Sequence, residues 1–276
     1  EYSFTALPAG SYSVMTVVSA ISYTPTFHDG IKIGAGQTAD LNIQLQEGVA
    51  LNTLGDGREY IVTRAANAKR NAPTTPTPRL ADGKPDFAGY WTAGGPGDSG
   101  VPEFQDWALA VSRKRVADAV KDAPSAGCLP NGIVWNFGSG QKLVHTPTVL
   151  VMLNEGQPTR QIYLDGRRHP ADPDPTWLGH SIGRWEGETL VVDSVGFNDK
   201  PWLDLFGHPQ TEKLHLTERF HRADLGHMDV ELTVDDPGSL KKPWVMKRSY
   251  LLNPDDDILE YICTENEKDA QHVLAK

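Results

Sequence analysis

From residue 148 to residue 263 the chain is written as short segments of alternating apolar and polar residues, each closed by Gly, Pro, Asn or Asp. Alternation with period two sends successive side chains to opposite faces of a strand, and those closing residues supply the backbone that turns require. The predicted strands are Thr148 to Leu153, Arg160 to Asp165, His180 to Trp185, Glu188 to Ser194, Leu214 to Arg222, Met228 to Asp235, Val245 to Leu252 and Ile258 to Cys263. Connections such as Asn154-Glu155-Gly156, Glu186-Gly187 and Asp235-Asp236-Pro237-Gly238 are turn-like, so successive strands are expected to pair antiparallel. A meander of about eight to ten such strands closes most readily into an up-and-down β-barrel or a sandwich.

Helix is a minor component. Between Pro102 and Asp122, Phe104, Trp107, Ala108, Val111 and Ala119 recur at spacings that suit a helix with proline at its start, and Arg113, Lys114, Arg115 and Asp118 form its solvated face. A short C-terminal helix is expected over Asn266 to Leu274. Residues 66–86 are dense in Pro and Thr, lack apolar periodicity, and read as a semi-extended linker. Ahead of them, Tyr2-Ser3-Phe4-Thr5, Tyr12 to Val17 and Ala39 to Leu45 alternate as strands around the turn Leu7-Pro8-Ala9-Gly10. The chain thus divides into a β module at 1–47, a connector at 48–85 and a larger β domain at 86–276.

With 39% hydrophobic residues in 276, the chain can bury a real core. Its formal net charge of -10 disfavours nucleic-acid and anionic-membrane partners, which need clustered Lys and Arg, and favours a small-molecule substrate or ligand. No stretch reaches the ~20 apolar residues that span a bilayer as a helix. Cys128 and Cys263 are the only cysteines, and an even count fits one bridge made outside the cytoplasm, the alternative being two buried thiols. A periplasmic or secreted location is therefore expected. Two cysteines cannot by themselves build a structural zinc site.

Two resemblances extend this reading. The pattern F-x-A-L-P-A-G-x-Y-x-V, followed by I-x-I-G-A-G-Q-T-A-D-L-N-I-Q-L, resembles the C-terminal half of carboxypeptidase regulatory-like modules of the transthyretin (prealbumin) type. The resemblance implies an exported, non-catalytic module whose earlier strands lie upstream of Glu1, with open edges through which two copies could pair as a homodimer. Asp86-Phe87-Ala88-Gly89-Tyr90-Trp91 is similar to the opening strand of lipocalin-type (calycin-like) barrels, in which the Trp plugs the closed end. The run from Arg160 to Asp193 and the later segments Gly196-Phe197-Asn198-Asp199, Lys242-Pro243-Trp244 and Glu260-Tyr261-Ile262-Cys263 resemble a family of uncharacterised bacterial proteins that often carry such a module in front. That resemblance implies no activity.

Candidate chemistry gathers around residues 165–218. If Glu186-Gly187 is the whole turn of a hairpin, Ile182 faces Val191 and His180 faces Asp193 across the ladder. A carboxylate beside an imidazole fixes its tautomer and suits a general base, although such a pair can equally be structural. Gly179-His180-Ser181-Ile182-Gly183 matches the nucleophile-elbow pattern, yet a strand rather than a helix follows Ser181, so a serine hydrolase would need another fold. Asp165-Gly166-Arg167-Arg168-His169 sits at a strand end, where Arg167 could clamp a carboxylate or phosphate and His169 could bind substrate.

Glu218 lies on the apolar face of its strand and needs a cationic partner, for which Arg248 or Lys247 are the candidates, or a proton. Trp177 and Trp202 fall in Pro-rich loops and could form ligand platforms. No cofactor is expected, with a catalytic metal held by His169, His180, His208 and Asp165 as the alternative. The expected function is an exported hydrolase of a small glycoside or ester. In it His180 and Asp193 form the acid–base pair and Asp165 or Glu218 is the second carboxylate, while Arg167, His169, Trp177 and Trp202 bind substrate. The rivals are a lipocalin-like small-molecule binder, a serine hydrolase using Ser181, and a structural surface protein.

Overall fold

A computed structural model describes residues 7–16, 23–24, 26–44, 46–47, 72–94, 98, 100–118, 120–134 and 140–263. The expected strand Tyr2 to Thr5 and the expected C-terminal helix lie outside these residues. At the N-terminal end, β1 (Gly10–Thr16), β2 (Tyr23–Thr24), β3 (Thr26–Ile33) and β4 (Gln46–Glu47) form two small antiparallel pairs, β1 with β3 and β2 with β4. Residues 39–44, expected in a strand, lie in none, and Thr26–Ile33 takes the place beside β1.

The larger domain is a closed barrel of nine strands in chain order: β5 (Gly89–Ala93), β6 (Gln141–Thr146), β7 (Val149–Asn154), β8 (Arg160–Tyr163), β9 (His180–Glu186), β10 (Thr189–Val195), β11 (His215–Arg222), β12 (His227–Asp235) and β13 (Trp244–Leu252). β13 pairs with β5 to complete the ring. Strands that alternate direction close only in even numbers, so a ring of nine must contain a parallel pair. It falls between β8 and β9, where Ile162 registers with Ser181 and Tyr163 with Ile182. Parallel neighbours cannot be joined by a hairpin and need a long crossover, which residues 164–179 supply.

The hairpin after β9 corrects the sequence-based register. Glu186 pairs with Thr189, so the turn is Gly187-Glu188, with φ +62° at Gly187. Glycine at the first central position suits a type II′ turn, whereas the expected register put it second. His180 therefore faces Val195, and Asp193 faces Ile182. The slip is by two residues along the strand, which preserves the face: His180 and Asp193 still project from the same side of the sheet.

The barrel interior is filled by side chains. Leu143, Leu150, Ile162, Leu190, Phe220 and Leu232 are at most 1% exposed and form its apolar layers. Among them sit buried polar groups, foremost Arg160 and Glu218, whose bidentate ion pair includes an Nη1–Oε1 bond of 2.9 Å. The partner of Glu218 is thus on β8 and not on β13, where Lys247 and Arg248 lie. At one end Trp91, fully buried, donates from Nε1 to the Phe87 carbonyl at 2.9 Å, and the Arg222 guanidinium lies 4.7 Å over its ring. Arg222 also donates to the carbonyls of Asp86, Asp224 and Leu225. Burial lowers its pKa to about 10, against the opposing pull of Asp86 and Asp224.

Outside the barrel, α1 (Asp106–Ala117) buries Ala108, Ser112 and Val116 and leaves Trp107, expected on its apolar stripe, 47% exposed. Residues 72–86, the second half of the expected linker, are laid against the barrel: Thr77 donates to the Arg222 carbonyl at 3.0 Å, and Leu225 N–H to the Thr75 carbonyl at 2.8 Å. Cys128 and Cys263 are joined in a disulfide, as the sequence suggested. The expected strand from Ile258 to Cys263 is absent. That stretch is held instead by the Leu259 N–H on Glu155 Oε1 at 2.8 Å, by the Tyr261 ring against Gly156, and by the bridge.

Two stability predictions follow from these contacts. Glu218→Leu, which strands the Arg160 charge in the interior, is expected to cost about 3–5 kcal/mol in urea unfolding, whereas Arg160→Met with Glu218→Leu should cost far less. Equal losses in single and double variants would show that the pair is not a buried, mutually dependent unit. Opening the Cys128–Cys263 bridge, which spans 135 residues, in a double serine variant should cost about 5 kcal/mol in urea unfolding, the chain-entropy scale for so long a loop.

Candidate functional site

The parallel seam brings the crossover segment across the outside of the barrel, and a chain of ionisable groups forms there. On the outer faces of β9, β10 and β11 stand His180, Asp193 and His215, and His169 reaches them from the crossover. His169 Nδ1 lies 2.8 Å from His180 Nδ1, and His169 Nε2 lies 3.0 Å from Asp193 Oδ2. His215 Nε2 closes on the other carboxylate oxygen, Oδ1. The order is His180, His169, Asp193, His215.

The bonding constrains the proton positions. Burial alone would raise the pKa of Asp193, but the hydrogen bonds and charges of His215 and His169 outweigh it and hold the carboxyl below its ordinary value. An ionised carboxylate only accepts, so His169 and His215 both carry hydrogen on Nε2. Across the 2.8 Å contact one Nδ1 donates and the other accepts; where His169 accepts, His180 carries its hydrogen on Nδ1. In that arrangement the lone pairs of His180 Nε2 and His215 Nδ1 are left without a partner among the described residues. Burial, then the neighbouring His169 and Arg167, push the His180 pKa down, so the ring is neutral at neutral pH.

An aromatic and a cationic side chain adjoin the His180 ring. Tyr163, the last residue of β8, stacks on His180 with centroids 5.5 Å apart, and the Arg167 guanidinium lies 3.7 Å over the Tyr163 ring. Arg167 is oriented by Asp165, to which Nε donates at 2.9 Å and Nη2 at 2.6 Å. The same pairing keeps the Asp165 carboxyl below its ordinary value. Gly166, with φ +79°, makes the tight return that lets neighbours two apart meet.

Of the residues expected to form a site, His180, Asp193 and His169 come together, although through His169 and not by direct contact of His180 with Asp193. Arg167 and Asp165 stand beside them. Glu218 does not: it is 0% exposed on the inner face and bonded to Arg160. Ser181 also points inward, 1% exposed, accepting from Arg160 Nε at 3.1 Å and sharing a 2.9 Å bond with Ser194, so no substrate carbonyl can reach it. Trp202 is 6% exposed, packs against Val116, Val120 and Ala123, and lies under Arg115; it is a wall and not a platform. Trp177 is half-buried against the core, with Lys200 Nζ 5.9 Å from its ring.

His208 is engaged elsewhere, on Asp204 Oδ2 at 2.6 Å and stacked on Phe104, so the set His169, His180, His208 and Asp165 does not assemble. Among the described residues no three His, Cys, Asp or Glu side chains are placed to hold one metal ion. His215 and Tyr163 were not singled out as site residues from sequence. The signal for His215 was present, since it shares the polar face of its strand with Thr217, Arg219 and His221. Comparison of the chain with protein-family models, with curated proteins and with solved structures gave no match.

Asp193→Asn should be less stable than wild type by about 1–2 kcal/mol, a charged hydrogen-bond loss discounted for partial exposure. Because the folded pKa of Asp193 is depressed, the wild-type advantage should be present from neutral pH down to its ordinary carboxyl value of 3.8 and vanish as pH falls through the folded value. Urea midpoints of the two proteins at several pH values check this. A difference that persists unchanged in strong acid would show that the carboxylate is not the source.

Proposed function

We propose that the protein is an exported hydrolase of small esters, in which His180 Nε2 is the general base. The observation that carries this reading is the chain from His180 through His169 to the Asp193 carboxylate. With His169 accepting at Nδ1, the chain leaves two imidazole nitrogens unprotonated, His180 Nε2 and His215 Nδ1, and of the two rings it is His180 that stacks on Tyr163 next to Arg167. In the proposed step His180 Nε2 takes a proton from a water molecule while the water oxygen bonds to the ester carbonyl carbon. The charge gained by His180 is shared with His169, whose Nε2–H already rests on Asp193. The tetrahedral adduct then breaks its C–O bond, and the leaving alkoxide takes the proton back from His180. Arg167, held through Nε and Nη2, presents Nη1 toward an oxygen of the substrate.

The geometry favours an ester over a glycoside. Glycoside hydrolysis needs two carboxyl groups facing one bond, but Glu218 is sealed inside the barrel and Asp165 is engaged by Arg167. A lipocalin-like binder would need an apolar chamber, whereas ion-paired and apolar side chains occupy this interior. The disulfide supports an oxidising, extracytoplasmic location.

His180→Ala is expected to lower the turnover of p-nitrophenyl esters of short acids by a hundredfold or more, on the scale of a lost general base, with the fold intact. Since the His180 pKa is depressed, the acid limb of the wild-type profile should lie below the ordinary imidazole value of 6.5, with activity retained above it. Full activity in His180→Ala, or no hydrolysis of any ester by the wild type, would overturn the proposal.

A further inference from the structure

Directly beneath the outer chain of histidines, on the inner face of the same strands, lies a second polar network that the proposed chemistry does not touch. Arg160, 5% exposed at the start of β8, donates from Nε to Ser181 Oγ at 3.1 Å, from Nη2 to Ser194 Oγ at 2.9 Å and from Nη1 to Glu218 Oε1 at 2.9 Å. Its second bond to Glu218 completes a fork. One side chain thereby ties β8 to β9, β10 and β11. Each residue that it holds adjoins an outer-face position: Ser181 follows His180, Ser194 follows Asp193, and Glu218 follows Thr217, the cross-strand partner of Asp193. In a strand, fixing an inward side chain fixes the Cα from which its neighbour leaves on the opposite face.

The ladder is weakest at this place. The β8–β9 seam has two register pairs, against seven between β9 and β10. Backbone hydrogen bonds there cannot by themselves set the distance between the crossover, which starts from β8, and the strands that carry His180 and Asp193. We propose that Arg160 is a positioning residue for the outer relay: a guanidinium sealed inside the barrel sets the separation of His180 and Asp193 and the approach of His169. Lysine could replace its charge but not its fork, because a single ammonium cannot meet two seryl oxygens and both carboxylate oxygens at once.

The proposal rests on the relay being the functional centre, and it is read on the histidines directly so that the two can fail separately. The experiment follows the His180 imidazole through a pH titration by NMR in wild type, Arg160→Lys, Ser194→Ala and the double variant Arg160→Met with Glu218→Leu. The double variant replaces a buried ion pair with apolar groups and keeps the fold if a charge alone in the interior proves too costly. Leu232→Ala, an interior truncation on β12, is the control for general loosening. The His180 midpoint is expected to move up toward the ordinary imidazole value by roughly half a pH unit or more in Arg160→Lys and in the double variant, and less in Ser194→Ala. The acid limb of kcat should move with it. Leu232→Ala should melt earlier without moving either. Folded Arg160 variants with a wild-type His180 titration would overturn the proposal, as would an equal displacement in Leu232→Ala. If the titration moves as expected while His180→Ala keeps full esterase activity, Arg160 positions the relay but the hydrolase reading falls.

Discussion

A closed ring of nine strands must contain one parallel pair, and nearly everything distinctive about this barrel descends from that constraint. The other neighbouring strands pair antiparallel, some through two-residue turns as between β6 and β7 and between β9 and β10, but β8 and β9 run parallel with two register pairs. The crossover that joins them has to travel back along the outside of the barrel. It carries Asp165, Arg167 and His169 with it. The seam therefore sets both the weak point of the wall and the place where loop side chains are laid over strand side chains.

Inner and outer faces of the seam answer different physical demands. Inside, Arg160 and Glu218 are removed from water, and such a pair is tolerated only with good geometry and with its remaining hydrogens satisfied, which Ser181 and Ser194 provide. Outside, Asp193 is partly solvated and accepts from two histidines, so its charge is retained while the imidazoles are oriented. The consequence is a row of imidazoles in which one carboxylate sets the Nε2–H of His169 and of His215. The nitrogens left unengaged are the two terminal ones, on His180 and His215, and of these rings His180 is the one that stacks on Tyr163 next to Arg167.

The outline of the barrel was legible in the chain because most strands alternate cleanly, as from Met228 to Asp235. β6 escaped notice because two of its three inward positions are Gln141 and His145, so the apolar rhythm that marks a strand is missing there. The opposite error, at Ile258 to Cys263, came from alternation in a stretch whose apolar residues remain exposed: Tyr261 is 57% exposed and Ile262 52%. The pairing of Cys128 with Cys263 was expected from their even number, with two buried thiols as the alternative, and the structure joins them. The register of the β9–β10 hairpin could not, since the position of one glycine within the turn decides it. His169 as the link between His180 and Asp193 was out of reach for the same reason that it matters: it arrives through a parallel crossover, which local periodicity does not encode.

The relay depends on where three protons sit. Long-range proton–nitrogen correlation spectra of the histidine side chains, recorded at neutral pH, report the tautomer of each ring. The proposed relay requires the Nε2–H form for His169 and His215 and the less common Nδ1–H form for His180. A spectrum showing His180 as Nε2–H, or His169 and His215 exchanging between forms as solvent-exposed imidazoles do, would contradict the relay.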